Sequence, residues 1–315
     1  MTFQLTEHEL SSLASDMGFL KNSVEKVLRL VEVLKDLERN PVTKGKFVLK
    51  GGTAINLFYL NLPRISVDID VNYIGFLPKQ DMKEDREKIK SEILKIFDGD
   101  YEIEELMNEH ALLQLKFGYM TLSGSSDALR LEINFLLRQP IITHISKRLN
   151  GFNDEFWFPC LDEIEIFASK TIACLSRYSP RDLYDLYGWI RSSGDINKSN
   201  FRYLLTYFAL VARRTLFDLY DLKFESITDK EIKDHLLPML QRRSKPQRKE
   251  MIKTVQDFLK PFITLTDDEE REIKNFYATG ELNTDFFFPD KKIRQNIIQS
   301  PAMVWKIKNI KQHLS

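Results

Sequence analysis

Residues 50–72 read KGGTAINLFYLNLPRISVDIDVN, and no other stretch constrains the fold as tightly. The preceding FVLK (47–50) reads as a short buried strand, and Gly51-Gly52 then breaks the extended run. TAINLFYLNL is apolar over two to three turns, which predicts a helix that starts at Thr53 and is stopped by Pro63. In SVDIDVNYI, Val67, Ile69 and Val71 alternate with Asp68, Asp70 and Asn72, a period of two that predicts a strand. The order is therefore strand, glycine turn, helix, strand, with both aspartates on one face of the second strand.

Each half of this unit has a chemical use. Glycine between a strand and a helix lets the backbone turn tightly and come close to a ligand. The helix start beyond it offers unpaired N–H groups and partial positive charge, which suits phosphate. Thr53 is placed to cap that helix or to give its hydroxyl to the same phosphate; a plain strand-to-helix turn uses the same residues. Two carboxylates side by side raise each other's proton affinity, and a divalent cation relieves this. Mg²⁺, with Mn²⁺ as the alternative, favours carboxylate oxygens together with substrate phosphates. A solvated polar face is the plainer account of an isolated Asp-x-Asp.

In combination, the Gly-Gly-Thr turn and the R-x-S-x-D-x-D strand resemble the signature of polymerase-β-like nucleotidyltransferases. More closely, LKGGTAINLFYLNLPRISVDIDV resembles the AbiEii/AbiGii toxin family, which includes the MenT toxins. Lys50, Gly51, Gly52, Thr53, Arg64, Ser66, Asp68 and Asp70 fill that family's pattern without a break. The resemblance implies that Gly51, Gly52, Thr53, Arg64 and Ser66 bind a nucleoside triphosphate and that Asp68 and Asp70 bind its metal. It also implies a third carboxylate on a later strand, and Glu132 is the only acid inside ALRLEINFLL. ASKTIACLSRYSPRDLYDLYGW (168–189) resembles the family's later motif, which assigns nucleotide binding to Lys170 and Asp182 and catalytic roles to Lys170 and Asp185. Asp182 also suits simple stabilisation of a helix N-terminus, and Arg64 and Glu132 also suit a solvent-facing position.

The implied fold is α+β: a polymerase-β-like nucleotidyltransferase domain with a mixed sheet over 1–160, N-terminal helices included, then a helical domain over 161–315 completing the nucleotide and acceptor site. YEIEEL, ALLQLKFGYM and ALRLEINFLL carry β character, and SGSSD (123–127) suits a hairpin. Residues 79–98 are charged and helix-compatible. After Arg138 the pattern predicts helices and no further β hairpin.

The implied activity is transfer of a nucleoside monophosphate to an RNA acceptor, the 3′ end of tRNA in MenT-type relatives, which blocks translation. The 46 lysines and arginines balance 46 acids, so a polyanion would need a local basic surface. Candidates are Arg242, Arg243, Lys245, Arg248 and Lys249, then Lys291, Lys292 and Arg294, then Lys306, Lys308 and Lys311, with Arg213 and Arg214. Such runs are commonly just solvated faces. A protein-modifying nucleotidyltransferase and a non-catalytic nucleotide-binding regulator remain as alternatives. The family further implies a cognate antitoxin encoded nearby, either a repressor that need not touch the toxin or a kinase acting on Thr53 or Ser66.

Cys160 and Cys174 form no CxxC pair, which argues against structural zinc. The N-terminus lacks the apolar core of a signal peptide, and no apolar run is long enough for a bilayer, so the expected place is the cytoplasm, away from membranes.

Overall fold

A computed structural model describes residues 5–75, 77–152, 155–212 and 222–314. Its contacts divide the chain into two units, each assembled from separate stretches of sequence. The first takes in Met1–Arg138, His144–Leu161 and Asp234–Lys245; the second takes in Gln139–Thr143, Asp162–Lys233 and Pro246–Ser315.

The first unit opens with α1 (Glu7–Met17) and α2 (Lys21–Arg39). Thr6 caps α1 through a reciprocal pair with Glu9, and Gly18 ends it in the left-handed conformation. In α2, Val24, Val27, Leu30, Val31 and Leu34 recur at helical spacing and are all buried. The α2 residue Glu25 is also buried; its carboxylate accepts from the Leu122 N–H at 3.1 Å and pairs with Arg29 at 2.9 Å, tying α2 to the turn at 121–125.

The sheet has seven strands: β1 (Phe47–Leu49), β2 (Asp68–Tyr73), β3 (Glu102–Glu109), β4 (Leu112–Met120), β5 (Ser126–Asn134), β6 (His144–Arg148) and β7 (Trp157–Leu161). Their spatial order is β3-β4-β5-β2-β1-β7-β6. β2 runs antiparallel to β1 but parallel to β5, and β1 runs parallel to β7, so the sheet is mixed. Ile69 and Val71 on β2, Leu129, Leu131 and Ile133 on β5, and Leu113, Leu115 and Phe117 on β4 are buried on one face. Each such side chain contributes roughly 1.5–3 kcal/mol by leaving water. The polar partners in the alternation (Asp68, Asp70, Arg130, Glu132, Gln114, Lys116) occupy the opposite face.

Between β1 and β2, the chain forms α3 (Gly51–Ala54), which widens into a π turn over Ile55–Tyr59. The helix starts at Gly51, two residues before the expected Thr53, because Lys50 is its cap. α4 (Lys79–Ile96) is tied to the sheet by Asp85, which accepts a 2.6 Å bond from the Tyr73 hydroxyl and pairs with Lys46.

One expectation fails: β6 and β7 form an antiparallel hairpin beyond Arg138. Its physical cause is plain. β6 reads HISKR on the sheet edge and is mostly solvated, and β7 carries Pro159, which donates no ladder hydrogen bond. Neither strand shows the apolar alternation that marks β4 and β5.

The second unit is helical among its described residues. It contains α5 (Glu163–Arg177), α6 (Pro180–Ser192), α7 (Lys198–Val211), the single turn α8 (Asp229–Glu231), α9 (Arg248–Ile263), α10 (Asp267–Thr279), α11 (Thr284–Phe287), α12 (Lys291–Gln299) and α13 (Pro301–Leu314). Its core is aromatic: Trp189 stacks on Phe167 at 4.3 Å, and Phe201 meets Trp189 at 5.4 Å and Phe262 at 4.9 Å. Among the described residues, no helix is long and apolar enough to cross a membrane.

Candidate active site

The glycine turn and the aspartate strand meet where the sequence places them. The Lys50 N–H donates to the Asp70 carbonyl at 2.9 Å, which pins the end of β1 to β2. Gly51 follows with φ of +71°, a conformation that a side chain resists. A β-carbon there would overlap the Asp70 carboxylate. At Gly52 an added β-carbon would stand 2.7 Å from the Ser66 hydroxyl and 2.9 Å from the Arg64 guanidinium. Both glycines are thus required by close approach, and the approaching groups are three of the predicted site residues.

Thr53 serves the framework rather than the cap. It is fully buried, and its hydroxyl donates to the Asp68 carbonyl at 2.5 Å and lies 3.2 Å from the Ser66 hydroxyl. Arg64 is buried as well, with Nη1 donating to the Ile65 carbonyl at 2.8 Å. A segment remote in sequence sets its place: Arg64 bridges to Leu240, and the Ile65 N–H donates to the Met239 carbonyl at 2.8 Å. Nothing local in the sequence signals that anchor.

The register of β2 and β5 sets Asp70 opposite Glu132 and Asp68 opposite Arg130. Glu132 is held on both oxygens. The Gln114 amide of β4 donates to Oε2 at 2.8 Å, and the Lys50 ammonium lies 3.7 Å from Oε1. Gln114 escaped notice in the sequence because a single glutamine on an alternating strand carries no motif. Among the described residues, no three acidic, histidine or cysteine side chains group closely enough to hold a metal ion by themselves. Asp70 and Glu132 remain neighbours on the polar face, beside a turn emptied of side chains by two glycines. Two neighbouring carboxylates are the ligand chemistry of a hard divalent cation that shares its ligation with phosphate.

The second unit gathers Lys170, Asp182 and Asp185. The Lys170 ammonium lies 2.8 Å from Asp182 and 2.9 Å from Asp185, with all three side chains buried. Arg177 adds a 2.6 Å bond to the other Asp182 oxygen. Burial pushes the Asp182 carboxyl upward, but Lys170 and Arg177 outweigh it and hold the group below the ordinary carboxylate range. Two aspartates therefore supply the partner that an ammonium on an apolar helix face requires.

The predicted basic runs divide into structural and open members. Arg248 donates to the Ile227 and Glu225 carbonyls, Lys306 donates to the Ala212 carbonyl, and Arg294 pairs with Asp285. Arg242, Arg243, Lys245, Lys249, Lys291, Lys292, Lys308 and Lys311 are exposed. Arg213 and Arg214 lie outside the described residues.

Several comparisons bear on this arrangement. MenT4, a nucleotidyltransferase toxin from Mycobacterium tuberculosis, is similar with a TM-score of 0.54 and 17% identity, over 95% of this chain and 99% of that one. JHP933 from Helicobacter pylori gives a TM-score of 0.48 and 16% identity, over 82% of this chain and 99% of that one. At such identities the MenT4 likeness speaks to the fold alone, and the JHP933 likeness carries no argument. No curated protein matches the chain. A family model described as nucleotidyl transferase AbiEii toxin, type IV toxin–antitoxin system, matches residues 33–278, which include the glycine turn, both aspartates, Glu132 and the lysine–aspartate cluster. The chain belongs to the AbiEii family of nucleotidyltransferase toxins.

Proposed function

We propose that this toxin transfers a nucleoside monophosphate from a nucleoside triphosphate to an RNA acceptor, the 3′ end of tRNA, and so blocks translation. The observation that carries the reading is the cradle at Gly51 and Gly52, where carboxylate, hydroxyl and guanidinium crowd a backbone stripped of side chains.

In this reading the backbone at Gly51 and Gly52 receives the triphosphate, and Ser66 and Arg64 neutralise and orient its outer phosphates. Thr53 keeps the turn in register with β2 through its bond to the Asp68 carbonyl. Asp68, Asp70 and Glu132 would hold Mg²⁺, with Mn²⁺ as the alternative; bound there, the ion supplies charge neutralisation and a lowered pKa for the acceptor hydroxyl. The hydroxyl gives up its proton to water as its oxygen bonds to the α-phosphorus, the bond to the bridging oxygen breaks, and pyrophosphate leaves with the electron pair. Gln114 and Lys50 keep the Glu132 carboxylate turned toward Asp70. Lys170, Asp182 and Asp185 enter by the family resemblance: Lys170 and Asp182 as nucleotide-binding residues, and Lys170 with Asp185 as catalytic ones. A cognate antitoxin encoded nearby completes the system, with or without direct contact.

The test is incubation with total RNA, Mg²⁺ and each α-labelled nucleoside triphosphate, beside an Asp68→Ala/Asp70→Ala control. Label in a tRNA-sized band that the control lacks supports the proposal and names the nucleotide. Label on protein would replace it with side-chain nucleotidylation, and nucleotide binding without any transfer would replace it with a regulatory role.

A further inference from the structure

Away from the glycine turn, the first unit carries a cleft of about 520 Å³ lined by Lys35, Glu38, Arg39, Lys44, Phe156 and Trp157. It lies beside the start of β7, whereas the glycine turn follows the end of β1, a strand that runs parallel to β7. The two sites share no residue.

The cleft is unusual in its chemistry. Three of its six residues are cations and one is an acid. Trp157 is 55% exposed, a large indole face left in water beside positive charge. The rest of the wall is fixed. Phe156 packs on Phe158 at 5.9 Å and Phe58 at 6.5 Å, and the Lys35 ammonium stands 6.0 Å above the Phe156 ring. Lys44 sits on a braced turn: its N–H donates to the Asn40 carbonyl at 2.9 Å, and the buried Thr43 hydroxyl donates to the Leu37 carbonyl at 2.6 Å. Neighbouring acids offset part of the charge, with Glu32 2.8 Å from Lys35 and Asp36 3.6 Å from Arg39. Lys44 and the exposed guanidinium of Arg39 still face outward.

We infer that this cleft binds single-stranded RNA, with one base stacked on the Trp157 indole and adjacent phosphates on Lys35, Arg39 and Lys44. An exposed aromatic face beside outward-facing cations suits an unpaired strand, because every base has a π face and every nucleotide a phosphate. The volume is that of a small-ligand site and accepts a single nucleotide. An acidic peptide would use the cations but leave the indole face idle. The inference deepens the proposed function by giving the RNA acceptor a foothold apart from the reacting centre, and it rests on that reading for its biological purpose. Its test needs no transfer.

The experiment is binding of a short fluorescently labelled oligoribonucleotide of mixed sequence to the full chain, read by anisotropy across a salt series. Trp157→Ala should weaken binding about 10-fold, and Trp157→Phe, which keeps a stacking face, should restore most of it. Arg39→Ala/Lys44→Ala should lower the slope of log affinity against log salt by about 1.4, two phosphates' worth for a single strand. Affinity unmoved by Trp157→Ala, or polyglutamate competing as well as RNA, overturns the inference. If the transfer test fails while the Trp157 dependence persists, the functional reading falls and the cleft stands; the converse result removes the cleft alone.

Discussion

Gly51 and Asp70 fit against each other so closely that a single added methyl at Gly51 would occupy the space of the Asp70 carboxylate. The turn and the acid are one piece of structure. Gly51→Ala should therefore lose nucleotidyl transfer by at least about 100-fold while costing roughly 1–2 kcal/mol of stability for the left-handed backbone. Gly45 supplies the control: its φ is +67°, and an added β-carbon would meet nothing within 4 Å. Gly45→Ala should bear a similar conformational cost and keep full activity. Transfer rates and urea denaturation of the two variants make the comparison, and equal activity in both would sink the proposed role of the cradle.

Gln114 should matter to the reaction without touching substrate. Removing its 2.8 Å bond leaves Glu132 with Lys50 at 3.7 Å as its remaining partner among those described above. Gln114→Leu should reduce transfer by about 10- to 100-fold, the usual effect of losing a group that orients a metal ligand. The loss should shrink when Mg²⁺ is raised. A loss indifferent to Mg²⁺ would point to disturbed packing of β4 instead.

Lys170 is shared by two buried aspartates, so Lys170→Met should cost about 3–5 kcal/mol in chemical denaturation, because it removes the cation that both carboxylates face. Adding Asp185→Asn should recover part of that loss. Denaturation unchanged by Lys170→Met would mean that the cluster carries no structural charge balance.

Glu165 gives the protein a pH signature. Burial pushes its carboxyl up to about 7, against the lowering effect of N–H bonds from Ile142 and Ile141. The folded state then holds this proton more tightly than the unfolded state, whose group titrates near the ordinary carboxylate value. Its contribution favours folding most in acid, falls as pH rises from about 4.5 to about 7, and is level above that. The total is about 3 kcal/mol on the linkage scale. Glu165→Gln should flatten that part of the stability–pH curve; an unchanged curve would mean that the carboxyl is ionised throughout.

What the sequence reveals here depends on how far apart the cooperating residues lie. Gly51, Gly52, Asp68 and Asp70 are legible because one short stretch holds both the turn and the period-two strand. The buried faces of α2 and β5 are legible from their periodicity. β6 and β7 are not, since edge charges and Pro159 erase the alternation. The hold of Met239 and Leu240 on Arg64 and Ile65, and that of Gln114 on Glu132, come from chain-distant pairing that no local pattern records.

The chain leaves and re-enters its first unit, at 138/139, 143/144, 161/162, 233/234 and 245/246. On the ribosome, β1, β2 and β5 emerge long before Met239 and Leu240, the residues that anchor Ile65 and Arg64. Arg64 and Ile65 can therefore take their partners on Leu240 and Met239 only after residue 240 of 315 has been made. A product terminated before residue 239 carries the glycine turn and both aspartates and lacks those two partners.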